Sequence, residues 1–355
     1  MIETAAPVAA EVRPTRLRPG VLLVAAGCLL GAGLLGILVG PVGLSPAGVF
    51  RELADRLPLI HVSSGLSDRE TAILWELRVP RVVLAAMVGA MLAMSGAAYQ
   101  GVFRNPLADP YLLGVAAGAG FGATLAIAYL PDRAAWPVNP LPMAAFLGAL
   151  AGVGATYVLG RSGSRTRTTA TLILAGVAVA AFFTAAQTYI QQRNADTLRE
   201  VYAWILGTLS TVGWREVAVV LPYVAVSGAT LILHRRLLDV MSLGDEEADS
   251  LGVRTGRVRL VVVAAASLGT AAAVSVSGLI GFVGIIVPHA VRLVLGSSYR
   301  RILPLSVMFG GAFLVLADFL ARTATSPAEV PIGVITAFFG APFFLLVLRR
   351  ARRLP

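Results

Sequence analysis

The sequence predicts an all-α polytopic membrane protein of about ten transmembrane helices. Of its 355 residues 57% are hydrophobic and 14% charged, with a mean hydropathy of +0.80, more apolar mass than one water-soluble core can bury. Glycine- and alanine-rich apolar runs, each near the roughly twenty helical residues that cross a ~30 Å hydrocarbon core, recur ten times between polar turns. The arginines, finally, divide unequally between alternate turns.

In chain order, residues 1–20 are rich in Ala, Pro and Arg and are expected to form a disordered inner tail. Three arginines ahead of the first apolar run resemble a signal-peptide n-region. The run is too long for a cleaved h-region and no small-residue cleavage site follows, so an uncleaved helix is expected. The ten spans are then 21–42, 82–102, 111–130, 142–159, 170–190, 217–233, 260–276, 279–295, 302–320 and 332–348, inside a membrane domain of 21–350 followed by a short inner tail, 351–355. Ten crossings put both termini on one side. With the termini inside, the inner segments carry 18 arginines against 8 acids and the outer segments 10 against 10, so the whole net charge of +10 lies inside, as the positive-inside rule requires. A pI near 10.7 therefore calls for no nucleic-acid partner.

Small residues recur at spacing four (Gly27/Gly31, Gly36/Gly40, Gly114/Gly118/Gly122, Gly148/Gly152), which predicts closely packed helices rather than a wide pore. The sequence 277–284, with three glycines, predicts a short turn between the seventh and eighth spans, and Pro288 a kink in the eighth.

What is missing excludes several chemistries. There is no lysine, so the chain has no P-loop with which to hydrolyse ATP and no Schiff-base chemistry. His61, His234 and His289 are far apart without helical i, i+4 partners, so no zinc-protease site is expected, and the single Cys28 allows no intrachain disulfide. No metal ligand set, resident cofactor or catalytic constellation is expected. Intramembrane carboxylates mark proton-coupled carriers, and here only Asp318 qualifies, with Arg322 at i+4, read as an ion pair on the helix surface at the interface.

The longest inner loop, 234–259, carries Leu243-Gly244-Asp245-Glu246-Glu247-Ala248-Asp249-Ser250-Leu251-Gly252-Val253. Three acids favour a helix N-terminus through the macrodipole, and Gly252 suits the C′ position. A short docking helix over 243–253 is expected, with too few apolar residues to bury itself without a partner.

These residues together carry a resemblance. Leu77-Arg78-Val79-Pro80-Arg81, the run 100–110 with Asn105-Pro106-Leu107, the loop 243–253, the run 281–292 ending in His289-Ala290-Val291-Arg292, and Ala328-Glu329-Val330-Pro331-Ile332-Gly333 with Gly340-Ala341-Pro342 resemble the transmembrane permeases of type II ABC importers for iron-siderophores, haem and cobalamin. The resemblance runs from about residue 21 to 350. It implies the permease fold of that class, in a bacterial cytoplasmic membrane, as a homodimer with two separate ATPase subunits, which hold ATP and Mg, and an extracytoplasmic substrate-binding protein. It implies that 243–253 is the coupling helix seated on the ATPase, and that Arg78, Arg81 and Arg322 pair with acids of the binding protein. It further implies a cytoplasmic gate of Asn105, Leu107, Thr169 and Ala170, where Ala170 replaces the usual small hydroxyl residue and Thr168 stands next to the Thr169–Ala170 pair. His289 and Arg292 are read as inter-helix or headgroup contacts. The expected cargo is an iron-siderophore first, then cobalamin or haem. A proton-coupled or facilitative carrier acting alone, and a membrane scaffold, are the competing readings.

Overall fold

The computed structural model describes residues 17–56, 58, 61–130, 139–162, 169–210 and 213–351; most of the two expected tails, and Thr168, lie outside them. In chain order the helices are α1 (Pro19–Leu38), α2 (Pro46–Asp55), α3 (Asp68–Ala72), α4 (Val79–Phe103), α5 (Val115–Tyr129), α6 (Pro140–Ser162), α7 (Thr169–Arg193), α8 (Leu198–Ile205), α9 (Trp214–Met241), α10 (Asp245–Ser250), α11 (Thr255–Ser277), α12 (Val283–Leu295), α13 (Tyr299–Thr323) and α14 (Ile332–Ala351). Among the described residues seven are long and apolar enough to cross a membrane, and α5, α12 and α14 are shorter apolar helices. The ten predicted spans are thus present, with altered boundaries.

The second span is the longest. A π-helical turn, Ile73–Arg78, joins α3 to α4 so that the helix runs from Asp68 to Phe103. From Leu84 onward α4 is apolar all round and nearly every residue is buried, as befits a central helix. Helices α1, α9, α11, α12 and α13 pack around it.

The predicted glycine stripes act where α5 meets α6. A Cβ added at Gly118 would overlap the Gly148 carbonyl, and one at Gly122 the Ala144 carbonyl, so these backbones approach as only small residues permit. Gly27 and Gly31 differ, because a Cβ there would meet nothing within 4 Å. The first half of α1 does not use its stripe within the subunit.

The eighth span departs most from expectation. Helix α12 begins at Val283, four residues later than predicted, and has only 13 residues, about 20 Å at 1.5 Å each. Residues 278–282 are irregular, with Gly278 at φ 68°, ψ −164°, a region closed to side chains, and Phe282 at φ 69°. This backbone is satisfied by protein, as irregular chain at membrane depth must be. Tyr111 Oη donates to Ile280 O (3.0 Å) and accepts from Ile280 N (3.1 Å), and Thr208 N donates to Ser277 O (2.9 Å). Likewise the third span opens with a 3₁₀ turn, Pro110–Leu113, and a left-handed Gly114 before α5 begins.

Between the fifth and sixth predicted spans lies the amphipathic helix α8. Its Val201 and Trp204 are buried with Val115, Ala119, Ala271 and Val274 of α5 and α11. Ile332 N and Gly333 N then donate to Gly207 O (3.1 Å) and Leu206 O (2.9 Å), fixing the start of α14 beside it.

Candidate functional site

Where α1 ends and α4 begins, the three predicted arginines belong to one internal cluster. Helix α1 has no basic residue in its last turn, and its carbonyls are capped by side chains from elsewhere, as helix ends require. Arg78 Nη1 donates to Ile37 O (2.9 Å) and Leu38 O (3.1 Å), and its Nη2 to Val42 O. Arg322 Nη2 donates to Gly36 O (2.9 Å) while its Nε lies 3.1 Å from Asp318. Arg81 forks between two carboxylates, with Nη2 2.8 Å from Asp318 Oδ1 and Nη1 2.8 Å from Glu329 Oε1.

Asp318 is 1% exposed and Arg322 3%. The pair read as a helix-surface contact is instead a buried bridge between α4, α13 and α1. The correction has a physical cause: α13 packs broadly on α4, so the face bearing Asp318 points inward, and two guanidiniums neutralise it there. Arg78 is likewise buried, leaving Arg81 and Glu329 as the members that reach solvent. The Arg81 guanidinium holds the Glu329 carboxyl below the ordinary glutamate range, against a smaller opposing effect of burial.

At the other end of α4 the predicted coupling segment forms as a six-residue helix, α10, shorter than the expected 243–253. Asp245, Glu246 and Glu247 occupy its first turn. It closes in a Schellman motif: Val253 N donates to Ala248 O (3.0 Å), Gly252 N donates to Asp249 O (2.9 Å), and Gly252 takes φ 81°. Ala248 is buried beneath, whereas Leu243 and Leu251, outside the helix proper, are 63% and 64% exposed. Two leucines thus flank a rigid acidic helix without apolar cover in the subunit.

Asp245 ties this helix to its neighbours. Its carboxylate lies 2.9 Å from Arg259 of α11 and 3.4 Å from Arg104. Arg104 is the left-handed C-cap of α4, directly before the predicted gate. In that turn Asn105 Oδ1 accepts from Leu107 N (2.9 Å) and Asn105 O from Ala108 N (3.0 Å), so Asn105 shapes the backbone while Leu107 projects, 46% exposed. Ala170 is exposed at the start of α7, and Thr169 stands at its first position. Asp109 closes the turn by accepting from Tyr111 N (2.8 Å), and burial raises its carboxyl to about 6.

Arg292 bridges helices, as read from the sequence: its Nη2 donates to Gln100 Oε1 (3.0 Å) on α4, and Gln100 Nε2 donates to Gly284 O (3.2 Å) on α12. His289 lies edge-on to Phe343 of α14. Sequence reasoning missed Asp239, whose carboxylate accepts from Ser298 Oγ (2.8 Å) and from Tyr299 N, anchoring the end of α9 to the start of α13. It also missed Glu329, although that residue stands in one of the motifs that carried the resemblance. Among the described residues no three His, Cys, Asp or Glu side chains converge as metal ligands.

Comparison with known proteins places these sites in context. The model of the FecCD transport family matches residues 28–350. The cobalamin import system permease protein of Halobacterium salinarum is 46% identical over 286 residues, covering 80% of this chain and 75% of that one. The iron(3+)-hydroxamate import system permease protein of Bacillus subtilis is 38% identical over 339 residues, covering 94% and 84%. Among solved structures, one assigned to the metal-chelate type of ABC transporter, in an inward-facing conformation, superposes with a TM-score of 0.81 at 27% identity, covering 94% of this chain and all of that one.

Proposed function

This chain belongs to the FecCD transport family of ABC importer permeases, and from that premise we propose that it forms the membrane pathway by which a bulky metal chelate enters the cytoplasm, driven by a separate ATPase. The observation that carries the reading is α10. An acid-capped, Schellman-closed helix flanked by two exposed leucines fits the groove of a partner protein better than it fits water.

In this reading two copies of the chain flank a shared cavity, two ATPase subunits bind the α10 faces, and both termini lie on that cytoplasmic side. The chain has no lysine and hence no P-loop, so ATP and Mg belong to the partner. Closure of the ATPase dimer displaces α10. Asp245 passes the displacement to Arg104, and so to the turn of Asn105 and Leu107 at the end of α4. The proline-bracketed turn, with the start of α7, is the inner constriction; it is defined by shape, and the one carboxylate within it, Asp109, is engaged by the Tyr111 amide.

At the outer mouth, acids of a substrate-binding protein compete with Glu329 for Arg81, while Arg78 and Arg322 hold α1 in place behind it. The cargo is a metal chelate, with an iron-siderophore as the first candidate. Relatives named for cobalamin and for iron-hydroxamate both resemble this chain closely, as expected if the binding protein makes most of the selection. The reading is tested by reconstituting the chain with its ATPase and binding protein and asking whether chelate uptake needs all three.

A further inference from the structure

Helices α6, α11 and the start of α7 leave a groove open between them. Its apolar part, about 500 Å³, is walled by Gly154, Tyr157, Leu260, Val263, Ala264 and Leu268, among others. A second, polar cavity of about 420 Å³ continues it toward α10, sharing Tyr157, Gly256 and Leu260 and adding Arg254, Arg257 and Asp249. From Gly256 to Leu268 the groove follows α11 for twelve residues, about 18 Å at 1.5 Å per residue, close to the depth of one leaflet of a ~30 Å core.

The wall is mainly apolar. Ser267 Oγ is bonded to Tyr99 Oη (2.6 Å), and Thr156 Oγ1 donates to Leu113 O (3.0 Å), so these two of the hydroxyls facing the apolar part are already used. The mouth is basic. Asp249 accepts from Thr255 Oγ1 (3.1 Å) and Asp245 is engaged by Arg259. Arg259 Nε, by contrast, is buried without a hydrogen-bond partner. Arg254 and Arg257 are exposed, with no side-chain hydrogen bond or ion pair among the described residues.

We propose that this groove is a specific site for one anionic phospholipid of the leaflet on the α10 side, with an acyl chain along α11 between Gly154 and Leu268 and the phosphodiester held by Arg254 and Arg257. A mainly apolar channel of leaflet depth opening on unpaired arginines matches that chemistry. The orientation rests on the functional reading above. Lipid retention is measured on the purified chain without ATPase, so its failure and the failure of that reading are distinguishable.

The test is native mass spectrometry of the delipidated full chain with added phosphatidylglycerol or phosphatidylcholine. One phosphatidylglycerol per chain should survive activation that strips phosphatidylcholine. Arg254→Gln and Arg257→Gln should each lower retention about fivefold. Gly154→Phe, where an added Cβ meets nothing within 4 Å, should fill the groove and abolish retention, while Gly27→Phe, equally unobstructed on α1, should not. Equal retention of the two lipids, or a lipid-bound Gly154→Phe chain, would overturn the proposal.

Discussion

Arg104 and Asp245 lie 3.4 Å apart, and through them the end of the central helix α4 touches the first residue of α10. Both side chains are roughly two-fifths exposed, so the pair contributes under about 1 kcal/mol to stability. Its value lies in position, since the Asn105 turn begins one residue on. Arg104→Gln and Asp245→Asn are therefore expected to leave the melting temperature nearly unchanged and to raise the ATP hydrolysed per chelate transported. The double variant should be no worse than either single one, as for residues acting as one link. Wild-type stoichiometry in both single variants would remove the pair from the coupling path.

Leu251 tests the docking face. Leu251→Asp places a charge at a contact that the partner desolvates, which should cost several kcal/mol in ATPase affinity, with normal membrane insertion because the side chain is exposed in the isolated subunit. Co-purification of the variant with a full complement of ATPase would show that the ATPase docks elsewhere on the chain.

The outer cluster separates structure from docking. Breaking the buried bridge by Asp318→Asn leaves Arg322 and Arg81 undercompensated and should destabilise the chain by about 3 kcal/mol or more, seen as a lowered unfolding temperature in detergent. Glu329→Gln should cost under about 1 kcal/mol, its carboxylate being partly exposed. Because the Glu329 carboxyl is depressed in the folded chain, its contribution is complete above its ordinary value of 4.5 and is lost as pH falls through the lower folded value. The two chains should thus converge in stability on acidification. If Arg81 receives the binding protein, Glu329→Gln should also speed association at low salt, since rim charges act by steering; an unchanged rate would free Arg81 of that role.

Much of this was legible in the sequence because hydrophobic length and arginine placement are local signals. The ten apolar runs, the α5/α6 glycine faces and the Gly252 terminus of α10 need only spacing to be read. What stayed hidden depends on partners distant in sequence. The backbone of Ile280 can leave the helix because Tyr111, 169 positions earlier, supplies both a donor and an acceptor. Asp318 looked like a surface residue because its i+4 neighbour satisfied it, and nothing local announced that Arg81, 237 positions away, would bury the pair. Helix α8 escaped notice because its eight amphipathic residues are too few to read as a span.

Asp109 gives a pH signature. Burial raises its carboxyl from 3.8 to about 6, so the ionised form costs stability: the folded state is favoured fully below the lower value and loses that advantage as pH rises through the upper one. Asp109→Asn can still accept from Tyr111 N and carries no charge. It should be more stable than the parent at about pH 7.5, by at most about 3 kcal/mol for a shift of some two units, and indistinguishable from it in acid. A variant less stable than the parent at pH 7.5 and equal to it in acid would mean that the carboxylate is held by a favourable charge.

The most direct measurement is chelate uptake into liposomes containing this chain, its ATPase and its binding protein, with the Asp318→Asn chain in parallel. Among the described residues only Asp318 is an acid buried within a span, and it is engaged by two arginines, so uptake should require ATP, stop when the ATPase is omitted, ignore an imposed pH gradient, and remain ATP-dependent in Asp318→Asn. Uptake driven by a pH gradient in liposomes lacking the ATPase, and abolished by Asp318→Asn, would contradict this and identify a proton-coupled carrier.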